Sequence, residues 1–396
     1  MKWRYVELSD AVRIIAGSTP GMKRVEECAI DSSDGRILAE NISAGFDVPP
    51  WDRSTVDGYA VRSIDTVNVS DGIELRCIGE IGAGQFFAAR IGRGDCVRIA
   101  TGSPVPDGAD AVVMQEDVTE EGHKIILHRG VRSGQNISRK GVDIRKGDMI
   151  AEKGSMITPG AIGAIASQGI GSVRVFRRPD VAVIPGGDEI AETGGKAGPG
   201  QIFDVNSHVV SAIVRQAGGI PHIHRPIRDT YSDVRSALRW GNRMDICVFV
   251  SGSSVGRRDY VKRAVEEIGR PLFHGVRIRP GRPSLFATVK GRPVFGLPGN
   301  PVSSFVSAHL LLRQCIGAMT GYPRRFASRV VKKYDGSEKA DDEFTRIVTV
   351  KVIGEKAIPV FKESGAITGV SKADGFVMLE KGKSLRRGMK VDVELF

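Results

Sequence analysis

Ile246-Cys247-Val248-Phe249-Val250-Ser251-Gly252-Ser253-Ser254-Val255-Gly256 is the stretch that decides the fold. Five apolar residues bounded by a turn signal fit a strand buried on both faces. The Ser/Gly turn leads into an amphipathic stretch, so a helix is predicted over 259–268. The same unit recurs on either side. Val181-Ala182-Val183-Ile184 runs into Pro185-Gly186-Gly187-Asp188-Glu189, and Val294-Phe295-Gly296-Leu297 runs into Pro298-Gly299-Asn300-Pro301 and an apolar helix over 302–316. Between them a helix begins at Asn206, which can cap it, and ends at Gly218-Gly219; a strand over 223–227 and a helix over 232–240 follow. Leu285-Phe286-Ala287-Thr288-Val289 and the Lys290-Gly291 turn make a hairpin with the strand at 294–297. Strand–helix alternation over 179–322 predicts a doubly wound, mostly parallel α/β sheet with helices on both faces.

The flanks have a different texture. Up to residue 178 short β-type runs such as Ala111-Val112-Val113-Met114 and Lys124-Ile125-Ile126-Leu127 are broken by Pro49-Pro50, Pro104-Val105-Pro106-Asp107-Gly108 and Arg145-Lys146-Gly147-Asp148. This predicts a β-rich region with helices over 9–16, capped by Ser9, and over 161–166. The last 70 or so residues return to short strands, at 346–352, 357–361, 376–379 and 390–395. The fold class is therefore α/β plus β, and 396 residues are too many for one core.

Glycine supplies 49 residues, about 12% of the chain against a usual ~7%, which points to many tight turns and close backbone approaches. The formal charge of +11 favours anionic ligands. The basic residues neither run together nor interleave with aromatics, which argues against nucleic acid. Cys28, Cys77, Cys96, Cys247 and Cys315 lie far apart with no CxxC pair, so free thiols are expected, without disulfides or a zinc site. Neither an apolar leader nor an apolar run of spanning length is present, so the expectation is a soluble, cytoplasmic protein with no membrane partner.

In open α/β sheets ligands bind beyond the carboxyl ends of the strands. There this sequence places three loops of small residues. Backbone N–H groups at a Gly/Ser turn entering a helix make an anion cradle, and arginine forks match tetrahedral oxyanions. Arg257 and Arg258 adjoin the cradle, and Arg277, Arg279 and Arg282 stand in Arg277-Ile278-Arg279-Pro280-Gly281-Arg282-Pro283. Turn geometry and solvated arginines would explain any one loop; three at one sheet edge favour an anion site. Asp188, Glu189 and Asp259 enter the same loops, as carboxylates for a divalent cation or for acid/base work, although Asp259 serves equally as a helix cap. His222-x-His224 lacks third and fourth ligands and is not read as a metal site. No P-loop or zincin pattern occurs.

Several segments then resemble one family. Pro49-Pro50-Trp51-Asp52-Arg53-Ser54-Thr55-Val56-Asp57-Gly58-Tyr59-Ala60, Arg98-Ile99-Ala100-Thr101-Gly102-Ser103-Pro104-Val105-Pro106, Asn136-Ile137 to Gly141-Val142-Asp143, Asp259-Tyr260 and Gly296-Leu297-Pro298-Gly299-Asn300-Pro301-Val302-Ser303 follow in the order found in the MoeA/gephyrin E-domain family of molybdopterin molybdenumtransferases. The resemblance covers essentially the whole length. It implies a discontinuous linker domain (1–24 and 139–178), a β-rich inserted domain (25–138), a MogA-like α/β molybdopterin-binding domain (179–322) and a C-terminal β-barrel-like domain (323–396), paired as a homodimer with the site between subunits. Family members take adenylylated molybdopterin, release AMP with the help of Mg2+ or another divalent cation, and insert molybdate to give molybdenum cofactor.

Carried over by position, the resemblance implies catalytic roles for Asp57, Thr101, Asp143, Glu189, Asp229 and Asp259, with Asp188 and Glu189 as metal ligands. Gly252, Ser253, Ser254, Gly256, Arg279, Arg282, Pro298, Asn300, Pro301, Arg346 and Ser371 would bind substrate. Asp57 and Thr101 would reach the crevice from the other subunit. The sequence departs from the family in three loops. Ser251–Gly256 is one residue shorter than the usual cradle, Gly186 stands where a threonine is usual, and Arg279 and Arg282 replace two lysines. A paralogue handling tungstate, or a non-catalytic molybdopterin-binding scaffold, are the alternatives to a working transferase.

Overall fold

A computed structural model of the chain describes residues 5–67, 72–251, 260–321, 328–360 and 365–396. By its contacts the chain divides into two units, one of Met1–Cys28, Gly35–Ala39 and Arg174–Phe396, the other of Ala29–Asp34 and Glu40–Val173. The first unit opens with helix α1 (Leu8–Ser18). Ser9 does not cap it. Glu7 holds the cap position without a side-chain bond, and Ser9 lies inside the first turn.

The second unit is built on a six-stranded sheet of β1 (Gly58–Val61), β2 (Ile73–Ile81), β3 (Asp95–Ile99), β4 (Ala111–Met114), β5 (Val118–Glu121) and β6 (Lys124–Leu127). The order is β4-β1-β3-β2-β6-β5, with β2 and β3 parallel and the other pairs antiparallel. Alternation sends Tyr59, Val61, Ala111 and Val113 into one core and Ala60, Val97, Ile99 and Val112 into another, so the sheet is buried on both faces. Gly58 is fixed by this packing, because a Cβ there would lie 1.8 Å from the Val113 carbonyl oxygen. Helix α2 (Pro159–Ala166) is capped by Thr158, whose Oγ1 accepts from the Ala161 N–H at 3.2 Å, and starts on proline, as first turns allow.

In the first unit the predicted alternation is present. It comprises β7 (Asp180–Gly186), α3 (Asn206–Gln216), β8 (Ile220–Ile223), α4 (Tyr231–Gly241), β9 (Ile246–Ser251), α5 (Tyr260–Ile268), β10 (Arg270–His274), β11 (Leu285–Val289) and β12 (Arg292–Leu297). The sheet order β8-β7-β9-β12-β11-β10 has its first four strands parallel and the last two antiparallel. Strand order reverses at β7, because the chain adds β8 on one side of it and then β9 on the other, which makes the carboxyl ends of β7 and β9 the topological switch point where such sheets bind ligands. Val181, Val183, Val248, Val250, Phe295 and Leu297 face a core shared with α1, α3 and the last helices, while Ala182, Ile184, Cys247, Phe249 and Val294 face α4 and α5. That two-sided burial is why these strands read as unbroken apolar runs.

Three details differ from the sequence reading. The strand expected at 223–227 lies earlier, at β8, and only Ile227 returns to the sheet edge as a single bridge to Gly186. The helix over 302–316 is α6 (Pro301–Ser307) and α7 (Arg313–Thr320) joined through a π-helical turn, Ala308–Leu312. Asn206 is the first helical residue and does not cap α3; Asp204 does, its carboxylate accepting from the Ser207 N–H at 3.0 Å and from the Ser207 hydroxyl.

The C-terminal strands β13 (Arg329–Tyr334), β14 (Thr345–Ile353), β15 (Lys356–Pro359), β16 (Gly375–Leu379) and β17 (Lys390–Leu395) run in the order β14-β15-β13-β17-β16, and β16 returns to pair with β14. The sheet therefore closes into a barrel around Tyr334, Val348, Val350, Val377, Leu379 and Val393. The strand β13 escaped the sequence reading because half of Arg329-Val330-Val331-Lys332-Lys333-Tyr334 is charged. Among the described residues no helix is long and apolar enough to cross a membrane.

Candidate active site

The carboxyl ends of β7, β9 and β12 open onto a cavity of about 630 Å3. Pro185, Gly186 and Glu189 line it from the first loop, Pro298, Gly299, Asn300 and Pro301 from the third, and Ile202, Phe203, Asp204, Val205 and Asn206 from the segment entering α3. Three predicted binding residues, Pro298, Asn300 and Pro301, thus meet the predicted catalytic Glu189 in one crevice. The cradle residues Gly252, Ser253, Ser254 and Gly256, together with Asp259, lie outside the described residues.

Glu189 is placed by the glycine two residues before it. Gly187 has φ +142°, and a Cβ there would stand 2.7 Å from Glu189 Oε2 and 2.8 Å from Oε1. The carboxylate therefore folds back over a position that only glycine leaves open. The Glu189 backbone is held too, its carbonyl accepting from the Ile202 N–H at 2.8 Å in a short parallel ribbon of Ile190–Ala191 and Ile202–Phe203. Asp188 and Asp229 come together, since Asp188 Oδ1 accepts from the Asp229 N–H at 3.1 Å. Gly186 stands close to its neighbours: a Cβ would meet Ser251 Cβ at 3.2 Å and Ile227 Cγ1 at 3.3 Å.

A second cluster gathers the predicted arginines. The two-residue strand Ile278–Arg279 pairs parallel with β14, making Arg279 and Arg346 register partners. Arg279 is bonded to Asp341 at 3.0 Å, with its guanidinium 4.9 Å from the Phe344 ring centre. Arg282 donates to the Tyr5 hydroxyl at 2.7 Å and lies over the Tyr5 and Phe344 rings at 5.0 and 5.4 Å. Arg346 is tied to Glu338 at 2.7 Å and to the Lys339 carbonyl at 2.9 Å. Burial raises the Asp341 carboxyl, but the Glu343 and Phe344 N–H groups and the charges of Arg279 and Arg346 outweigh it, so Asp341 stays below its usual range. Ser371 ends the short helix Thr368–Ser371 and is exposed; no described contact joins it to the three arginines. Asp341, Tyr5 and Phe344 were not singled out from sequence, and no local pattern marks them, because the β14 pairing brings Asp341 and Phe344 to the arginines and a bridge between Val6 and Val276 brings Tyr5.

In the second unit Asp57 and Thr101 meet. Asp57 Oδ1 accepts from the Thr101 N–H at 2.7 Å and from its hydroxyl at 2.9 Å. These two donors, the backbone one foremost, hold the Asp57 carboxyl below the ordinary carboxylate range. Both residues are exposed, as is Asp143, which sits on another loop with its N–H on the Val48 carbonyl.

The donor set suits a hard divalent cation. Asp188 and Glu189 offer carboxylate oxygens from one turn, and Mg2+ binds through one or two carboxylates, keeping its other positions for water and phosphate. Among the described residues no three carboxylate, His or Cys side chains converge to form a cage. His222 Nε2 bonds Asp180 at 2.9 Å, and His224 packs its ring on Trp240 at 4.7 Å, so both have structural partners.

Comparison with known proteins agrees along the chain. Residues 6–169 match the model of the MoeA N-terminal region (domain I and II), 182–318 that of a probable molybdopterin binding domain, and 336–396 that of the MoeA C-terminal region (domain IV). Molybdopterin molybdenumtransferase of Staphylococcus aureus strain COL is 31% identical, covering 98% of this chain and 95% of that one. The enzyme of the same name from Staphylococcus epidermidis strain ATCC 12228 is 32% identical over the same shares. The crystal structure of the molybdopterin biosynthesis MoeA protein from Pyrococcus horikosii is 33% identical, with a TM-score of 0.87 and 99% of each chain covered. The motif order, the switch-point crevice and these likenesses agree: the chain belongs to the MoeA family of molybdopterin molybdenumtransferases.

Proposed function

We propose that this chain is a working molybdenumtransferase, which takes adenylylated molybdopterin and molybdate and yields molybdenum cofactor and AMP. The observation that carries the reading is the crevice beyond β7, β9 and β12, where Glu189 is seated over Gly187 beside the Asp188–Asp229 pair and opposite the Pro298–Pro301 turn. Molybdate is a tetrahedral oxyanion and the adenylylated pterin carries phosphate groups, which suits the arginine cluster, while a divalent cation bound to those phosphates suits the carboxylate cluster of the same unit. A bound Mg2+, held by Asp188 and Glu189, would supply charge neutralisation at the phosphoanhydride. Glu189 is the acid/base candidate for the water that cleaves that anhydride, leaving the pterin with its own phosphate and freeing AMP. Arg279, Arg282 and Arg346 bind molybdate, whose molybdenum then bonds the two dithiolene sulfurs while one oxygen leaves as water with the two thiol protons, the metal keeping its oxidation state.

Asp57 and Thr101 of the partner subunit complete the crevice in a homodimer. The two hydrogen bonds that Thr101 donates to Asp57 Oδ1 support this reading, because they fix an exposed, ionised carboxylate in one direction. The four-part division at 1–24 with 139–178, 25–138, 179–322 and 323–396, and a cytoplasmic location, belong to the same proposal. The test is direct: protein supplied with adenylylated molybdopterin, Mg2+ and molybdate releases AMP, and Glu189→Ala protein does not. Equal AMP from both proteins would refute the role given to Glu189.

A further inference from the structure

On the reading just given, the substrate carries two planar heteroaromatic rings, a pterin and an adenine, and we propose that residues 202–206 are where one of them is held. Ile202, Phe203 and Val205 line the crevice yet remain 61%, 46% and 38% exposed, an apolar shelf at its mouth. The shelf is rigidly seated. The Ile202 N–H donates to the Glu189 carbonyl at 2.8 Å, the Asp204 N–H to the Ala191 carbonyl at 2.9 Å, and the Thr193 hydroxyl to the Asp204 carbonyl at 2.9 Å, while buried Asp204 caps α3. Exposure here is therefore not the looseness of a free loop.

Asn206, next along, also lines the crevice. Its Nδ2 donates to the Gly299 carbonyl at 2.5 Å, which fixes the amide, since a flipped group would set oxygen against oxygen. Asn206 Oδ1 is then buried with no partner among the described residues. A buried acceptor left in this way calls for a donor. A pterin edge carries lactam and amino N–H groups, and adenine carries an amino group. Either ring can therefore donate to Asn206 while resting on Phe203, in the stacked or edge contact aromatic rings favour. Because the Ile202 N–H is bonded to the Glu189 backbone, a ring held here is also registered against the catalytic carboxylate.

The experiment measures binding of 6-hydroxymethylpterin and of AMP to the full chain, by fluorescence anisotropy and calorimetry, for wild type and for Phe203→Ala, Phe203→Tyr and Asn206→Ala. We expect Phe203→Ala and Asn206→Ala each to weaken one probe about threefold to tenfold, and Phe203→Tyr to hold near wild type. Loss confined to the pterin, or to AMP, identifies which ring is held. In turnover with adenylylated molybdopterin, KM rises by the same factor and kcat holds. Unchanged affinities for both probes, or no binding of either by wild type, overturn the proposal. Normal AMP release at unchanged KM in Phe203→Ala would overturn it and leave the transferase reading standing. Ring binding without any AMP release by wild type would do the reverse.

Discussion

Substituting Gly187 by alanine separates two things the structure joins at that position. The first is backbone strain, since φ +142° is a conformation L-residues avoid at a cost of about 1–3 kcal/mol. At roughly 2–4 °C per kcal/mol for a domain of this size, the melting transition of this unit falls by about 2–12 °C. The second is displacement. The new Cβ would lie 2.7 Å from Glu189 Oε2, and the carboxylate, as the end of a flexible side chain, gives way while the strand does not. On the role proposed for Glu189, moving its carboxylate by an ångström costs on the order of 10²-fold, so AMP release should fall about that far. Thermal unfolding and a single-turnover AMP assay read the two effects separately. In a Glu189→Ala background the added Gly187→Ala change should still lower the melting temperature but remove little further activity. A Gly187→Ala protein with wild-type melting and wild-type AMP release would refute the account of how Glu189 is positioned.

Gly58→Ala should be worse for stability, because the atom in the way is the Val113 backbone oxygen at 1.8 Å; a loss of at least about 3 kcal/mol is expected, read as early proteolysis of the second unit. Thr101→Val removes the hydroxyl donor but keeps the N–H, so the Asp57 carboxyl should titrate at higher pH than in wild type. Carboxyl NMR would show it, and the acid limb of activity should move up in pH with it, because a raised pKa leaves Asp57 protonated at pH values where wild type is ionised. An unmoved Asp57 titration would contradict the two-donor description. Chelation should abolish AMP release and added Mg2+ restore it; full activity in chelator would remove the metal from the proposal.

Much of the α/β unit was legible because its strands are buried on both faces, which writes them as apolar runs such as Val181-Ala182-Val183-Ile184. The loops beyond those strands were legible for the same reason, since the strand ends fix where they fall. Asn206 was misread because asparagine before a helix signals a cap, whereas Asp204, three residues before Ser207, already fills that role. That spacing was visible in the sequence and frees Asn206 to hold Gly299. The seating of Arg279 beside Arg346 was not legible: it depends on a parallel pairing between residues 67 apart, which no local pattern encodes. The charged strand Arg329–Tyr334 was hidden likewise, because alternate residues of a barrel strand face solvent.

The central proposal is that AMP release and molybdenum insertion are coupled steps of one enzyme, both depending on Glu189. The most direct measurement follows both in the same sample, AMP by chromatography and pterin-bound molybdenum by mass spectrometry, for wild type and Glu189→Ala. The account predicts one molybdenum inserted per AMP released by wild type, with both lost together in the variant. Molybdenum insertion that continues undiminished in Glu189→Ala protein without AMP release would contradict it.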